Sequence, residues 1–116
     1  MNTPSPFEAL IGSQLSAVVF VQDYVQLQFD GPVITVLTPL SVSRGSRTST
    51  FPGAGSRDAL CSVIGKRVVK QSLSELDALT LEFEDGAIIR VPLDFEARTG
   101  PEAMNYVDLN DQVVVW

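Results

Sequence analysis

Hydrophobic and polar residues alternate most cleanly in Val25-Gln26-Leu27-Gln28-Phe29-Asp30-Gly31, and the pattern returns as Leu79-Thr80-Leu81-Glu82-Phe83-Glu84-Asp85-Gly86. Period-two alternation describes a strand with one buried face, and Asp-Gly is a hairpin turn signal. The same reading places strands over Ser13–Val21, Val33–Leu37, Lys66–Leu73 and Ile88–Pro92. A C-terminal pair follows, Met104–Leu109 and Gln112–Trp116, turning at Asn110-Asp111. In Ser13–Val21 apolar residues fall on both parities, so this strand is expected to be covered on both faces, at least in its second half.

Two short helices precede these strand groups. Ser5-Pro6-Phe7-Glu8 combines a cap, a proline for the first turn and a glutamate at capping-box spacing, and Gly12 stops the helix. Ser56 opens the second, with Asp58 in its first turn; Ala59, Leu60, Val63 and Ile64 are apolar and Gly65 is the stop. Cys61 is expected to pack there as a small hydrophobe. Residues 38–55, rich in Ser, Thr, Gly and Pro, read as an irregular loop in which only Leu40–Ser43 suggests a short strand. Leu93–Glu102 is polar and irregular.

Aligned on their Asp-Gly turns, the two halves match. Leu27 and Phe29 fall with Leu81 and Phe83, Ile34 and Val36 with Ile89 and Val91, and Asp23 with Asp77. The expected fold is therefore α+β, mainly β, a single domain over 1–116. It comprises repeat one (5–37), the irregular loop (38–55), repeat two (56–92) and a C-terminal β-hairpin (104–116). Each repeat is a short helix plus a three-stranded meander, related by a pseudo-two-fold. One such unit is too small to be stable alone, so the two must share a core. The pattern leaves open whether they do so as one sheet, a sandwich or an open barrel.

This plan resembles an uncharacterised bacterial family of domains of unknown function, which carry two hydrophobic-Gly-x-x-Val … Leu-x-Phe-x-Asp-Gly-x-x-Leu-x-Val units and end on an apolar strand with Trp. The matching residues are Ile11-Gly12, Leu27, Phe29, Asp30-Gly31, Ile34 and Val36, then Ile64-Gly65, Val68, Leu81, Phe83, Asp85-Gly86, Ile89 and Val91, and finally Val114-Val115-Trp116. The first copy departs by lacking the residue before Asp-Gly. These motifs are structural; the resemblance implies the fold and supplies no catalytic residues.

Composition narrows function by exclusion. The 116 residues contain no histidine and one cysteine, with a net charge of -6. Histidine-dependent nucleophilic catalysis, Cys/His zinc sites and an intrachain disulfide are thereby excluded. The acidic balance argues against nucleic acid and anionic membranes as partners. Neither a signal peptide at Met1–Phe7 nor a membrane-spanning apolar run is evident. A soluble, cytoplasmic protein of bacterial type is the expectation, with no cofactor or metal.

Five side chains are candidates for ligand binding. Asp23 and Asp77 occupy equivalent turns, where a two-fold would pair them as a metal or acid/base site; aspartate is also favoured in turns for its own backbone bonds. Arg44, Arg47 and Arg57 surround a Gly/Ser-rich segment before a helix, a place for an anion as well as for a mobile linker. Phe51-Pro52-Gly53-Ala54-Gly55-Ser56 lacks the Gly-Lys-Ser/Thr ending of a phosphate loop. Glu82, Glu84, Asp85, Asp94 and Glu96 read as a solvated or partner-facing acidic surface. Without a catalytic constellation, the leading expectation is a non-enzymatic protein-interaction or accessory module. It would form a homodimer through an exposed strand edge or neutralise a basic partner in the manner of an immunity protein. A small-ligand-binding protein or carboxylate-based enzyme is the alternative.

Overall fold

The structure, a computed structural model, describes residues 5–116; Met1–Pro4, part of the segment judged to lack a signal peptide, lie outside it. The chain is mainly β. Its strands are β1 (Leu15–Val21), β2 (Tyr24–Phe29), β3 (Val33–Val36), β4 (Ser41–Arg44), β5 (Arg47–Thr50), β6 (Val68–Ser74), β7 (Ala78–Phe83), β8 (Ile88–Pro92), β9 (Met104–Val107) and β10 (Val113–Val115). They form two antiparallel five-stranded sheets: sheet one in the order β1-β2-β3-β9-β10, sheet two in the order β5-β4-β8-β7-β6.

The two alternating stretches become β2 and β7, the second strand of each meander. Val25, Leu27 and Phe29 point inward from β2, and Leu79, Leu81 and Phe83 from β7; all six are buried. Together with Ile34, Val36, Ile89, Val91, Met104 and Tyr106 they form one core shared by both sheets. Burial of so many branched and aromatic side chains, each contributing about 1.5–3 kcal/mol, is the dominant stabilisation. Of the arrangements left open, the chain takes two facing sheets.

The segment 38–55 departs from the irregular loop expected. It holds the β4–β5 hairpin, registered from Ser41↔Thr50 to Arg44↔Arg47, and β4 pairs with β8. Pairing rather than burial makes β5 a strand, since three of its four residues are exposed and it has no apolar alternation to read. The hairpin that follows the first meander thus joins the second meander's sheet. Conversely, β9–β10, which follows the second meander, joins the first sheet through β3.

The first helix is of the 3-10 type, and the second is shorter than expected. Pro6–Leu10 is a 3-10 helix capped by Ser5, whose Oγ accepts from the Phe7 amide at 3.2 Å. Glu8 does not close the capping box; its carboxylate accepts from Gln71 Nε2 at 2.7 Å. The second helix, α1 (Ser56–Cys61), has Gly55 rather than a side chain at its N-cap, and the Ser56 hydroxyl donates to the Gly53 carbonyl at 2.6 Å. Cys61 is exposed, contrary to the expected core position: Leu60 and Val63 take the inward places at this end of so short a helix. Residues 93–102 are irregular apart from a 3-10 turn at Phe95–Ala97. They are pinned by Arg98, which donates to the carbonyls of Leu93 and Pro101.

Candidate functional site

The structure does not bring the five candidate side chains together. Arg44 and Arg47 line a cleft of about 400 Å³ between the β4–β5 hairpin and α1, with Asp58 and Ser62 opposite. Arg44 is already engaged. Its Nη1 donates to Asp85 Oδ2 at 2.6 Å, and its Nε and Nη2 donate to Ser62. Partial burial works against a charged Asp85. The Arg44 hydrogen bond, the Ala87 amide and the positive charges of Arg44 and Lys66 outweigh it and hold the carboxyl below its ordinary range. Arg44 therefore staples the hairpin to the Asp-Gly turn of the second meander instead of waiting for an anion. Asp58 adds negative charge to the cleft, which further disfavours one.

Arg57 lines no part of this cleft. Its guanidinium lies 5.2 Å from the Phe51 ring and 5.8 Å from the Phe20 ring, a cation–π contact on two stacked aromatics. Asp23, in the β1–β2 turn of sheet one, lines a small cleft with Leu37, Pro39, Phe51 and Thr99. Asp77, in the β6–β7 turn of sheet two, accepts from Arg90 at 3.2 Å. Among the described residues no group of three or more Cys, Asp or Glu is placed to hold a metal. Nor is any helix long and apolar enough to cross a membrane.

The most distinctive surface is one that no single motif announces. Strand register assigns each residue to a face, and the outward residues of sheet one run in two cross-strand rows. One row is Ala17, Gln28, Val33, Val107 and Val113; the other is Val19, Gln26, Thr35, Asn105 and Val115. Val21 and Tyr24 extend the face beyond them. None of these residues is charged, although the chain carries 22 Lys, Arg, Asp and Glu (8 basic and 14 acidic). The face is cohesive: Gln26 Nε2 donates to Thr35 Oγ1 at 3.3 Å. Charges gather at its rim, with Asp23 in the turn at one end and Asp30, Asp108 and Asp111 in the turns at the other.

Sheet two is the internal control. Its corresponding outward residues include Lys70, Glu82 and Arg90 among Ser41, Ser43, Ser72 and Thr80, an ordinary solvated surface. Both faces belong to the same chain and the same kind of sheet, so composition alone does not account for the difference. An uncharged face with polar borders is the usual character of a protein-binding surface. Apolar residues on both parities of β1 led to the expectation of a strand covered on both faces; within the chain only the inner face is covered, and Ala17, Val19 and Val21 lie on the outer side. They become part of a face only when the register aligns β1 with β2, β3, β9 and β10. Compared with known proteins, the chain matches no family model, no curated protein and no solved structure.

Proposed function

We propose that this protein is a non-enzymatic interaction module whose contact surface is the outer face of sheet one. The observation that carries the reading is the absence of charge from that face while Lys70, Glu82 and Arg90 occupy the equivalent face of sheet two. The apolar members of the face, Val19, Val21, Val33 and Val107 with Tyr24, supply the desolvation that drives association. The rim carboxylates add steering and select a partner with basic groups around its own apolar patch, the chemistry of an accessory or immunity-type protein. A photo-crosslinking residue placed at Gln26 or, as a control, at Thr80 tests this in cells. An adduct from position 26 alone, lost more readily at high salt, is expected. No adduct at either position, or equal adducts at both, would sink the reading.

The fold of this module is, on the same proposal, a duplicated unit with exchanged hairpins. Two observations support it. The order β1-β2-β3 followed by the late hairpin β9–β10 parallels the order β6-β7-β8 followed by the early hairpin β4–β5. Bulges also fall at matching places, between Leu15 and Ala17 and between Val68 and Lys70. Each half would then lack a complete sheet by itself. Fragments 1–53 and 54–116 are expected to be unfolded apart and to restore the native circular dichroism when mixed; a fragment that folds alone as a monomer counts against duplication by exchange.

A further inference from the structure

Charge is unevenly divided between the two sheets. The stretches that supply sheet one, 1–40 and 102–116, hold Glu8, Asp23, Asp30, Glu102, Asp108 and Asp111 and no lysine or arginine. The intervening stretch 41–101 holds 8 basic and 8 acidic side chains, so the net charge of -6 belongs wholly to the stretches of sheet one. Four strands lie at sheet edges: β1 and β10 in sheet one, β5 and β6 in sheet two. An edge presents unpaired N–H and C=O groups, which charge or a covering segment protects. Three of the four edges carry a cation: Arg47 on β5, Lys70 on β6, and Arg57 over the Phe20 ring of β1. The starts of β1 and β6 are also tied together, the Gly12 amide donating to the Val68 carbonyl and the Gly65 amide to that of Leu15, each at 2.7 Å. Among the described residues, β10 has neither protection. It reads Val113-Val114-Val115, and these residues are 61%, 39% and 49% exposed.

The free groups of β10 can be identified. The Trp116 amide donates to the Met104 carbonyl at 2.9 Å, and the Asp108 amide donates to the Gln112 carbonyl at 3.1 Å. The backbone groups of residues 112, 114 and 116 therefore face β9, and the N–H and C=O of Val113 and Val115 point away from it. Carboxylates flank the strand. Asp108 Oδ1 accepts from the Asn110 and Gln112 amides at 2.9 Å each, and Asp111 directly precedes Gln112, so both acids stand at the start of β10. At the other end the Ala103 amide donates to the Trp116 carbonyl at 2.6 Å, which sets exposed Glu102 beside the end of the strand pair. Arg98, the cation nearest in sequence, is committed to the Leu93 and Pro101 carbonyls.

Resting on the reading of sheet one as the interaction layer, we infer that β10 is extended by a strand from a basic partner protein. The segment it takes is apolar and β-branched in the middle, with lysine or arginine at both ends. Donors and acceptors alternate along the edge as they do along another backbone, which selects an extended polypeptide. The added strand covers Val113 and Val115 on the outer side and Val114 on the inner, and carries the uncharged outer face one strand further. Asp111 and Trp116 stand five residues apart, about 17 Å of strand, so cations about five or six residues apart reach the carboxylates at both ends. A second copy of this chain would bring the same six carboxylates, and its own charge opposes it. The contact is short, so the pairing is weak and salt-sensitive.

Backbone-amide NMR of the 116-residue chain, titrated with the end-blocked peptide Lys-Val-Thr-Val-Thr-Val-Lys to about 1 mM, tests the pairing. Shifts centred on Val113 and Val115, with slowed exchange of both amides, are expected. Glutamate in place of both peptide lysines, or Asp111→Asn with Glu102→Gln in the protein, should weaken binding about tenfold. Val113→Pro removes an N–H that only the added strand uses, and should abolish binding while keeping the parent melting temperature. Should that variant lose the fold, the charge variant, which leaves the backbone donors in place, decides the matter. Equal binding of the lysine and glutamate peptides, or binding that Val113→Pro leaves intact, overturns the inference. Shifts confined to Gln26, Thr35 and Asn105 also overturn it, in favour of docking on the outer face. No shift at any position overturns it as well; a crosslink from position 26 then leaves the interaction module standing, and without one both fall.

Discussion

Arg44 and Asp85, 41 residues apart in the chain, meet at 2.6 Å where the β4–β5 hairpin crosses the Asp-Gly turn of the second meander. The contact has a pH signature. Asp85 has a folded-state pKa below its ordinary value, so its contribution is present above the ordinary carboxylate range and is lost as the pH falls through the folded-state pKa. Arg44 is 38% exposed, and solvent screening limits the effect to about 1 kcal/mol. Urea titrations of the parent and Asp85→Asn should therefore differ by about that amount at pH 7 and converge as the pH falls through the folded-state pKa. A difference independent of pH would mean that the turn, and not the ion pair, sets the loss.

The stacked pair of half-buried Phe20 and buried Phe51 makes a second, electrostatically different prediction. Arg57 covers both rings, so Arg57→Gln should lower stability by about 0.5–1 kcal/mol, with added phosphate leaving the parent melting temperature unchanged. Strong stabilisation of the parent by phosphate, abolished in Arg57→Gln, would restore the anion-site reading in place of the aromatic one.

What the sequence revealed, and what it concealed, follows from which forces shape each element. The strands β2 and β7 were legible because burial of one face writes itself as alternation: Val25, Leu27 and Phe29 against Gln26 and Gln28. The β5 strand was not, because Arg47–Thr50 is held by pairing with β4 and buries little. The arginines near one another in sequence separated for the same reason. The hairpin sends Arg44 to Asp85, while α1 lays Arg57 over Phe51. Cys61 was misplaced because its apolar neighbours suggested burial, whereas with Leu60 turned inward the next residue lies about 100° round the helix, toward solvent. The uncharged face depends on register between strands as distant as β1 and β9, which no local pattern records.

Gly31 and Gly86 end the two alternating strands, and their surroundings differ. Both have positive φ, +113° and +89°, so alanine at either position should cost about 1–2 kcal/mol in backbone strain. A Cβ at Gly86 meets open space, whereas one at Gly31 collides with Cδ2 of Leu109. Gly31→Ala should accordingly be the more destabilising, and Leu109→Ala in the same chain should recover the excess. Chemical denaturation of the parent, the two single variants and the double variant forms the cycle; additivity of the Gly31 and Leu109 substitutions would remove the contact from the account.

Tyr106 is the largest side chain in the core, 1% exposed, with its ring 4.7 Å from that of Phe7, and its hydroxyl has no hydrogen-bond partner among the described residues. Such a group costs its desolvation without recovering a bond, so Tyr106→Phe should leave stability unchanged or raise it by up to about 1 kcal/mol. Burial, with the Asp108 charge adding to it, also pushes the phenol pKa above its ordinary value of 10.0. The neutral form is thus favoured by folding, and the associated stability is intact below pH 10.0 and is lost as the pH rises through the folded-state value. The parent should therefore lose more stability than Tyr106→Phe between neutral and strongly alkaline pH, with a late phenolate absorbance change that the variant lacks. Marked destabilisation of Tyr106→Phe at pH 7 would show instead that the hydroxyl has a partner, such as a buried water bridging it to the backbone.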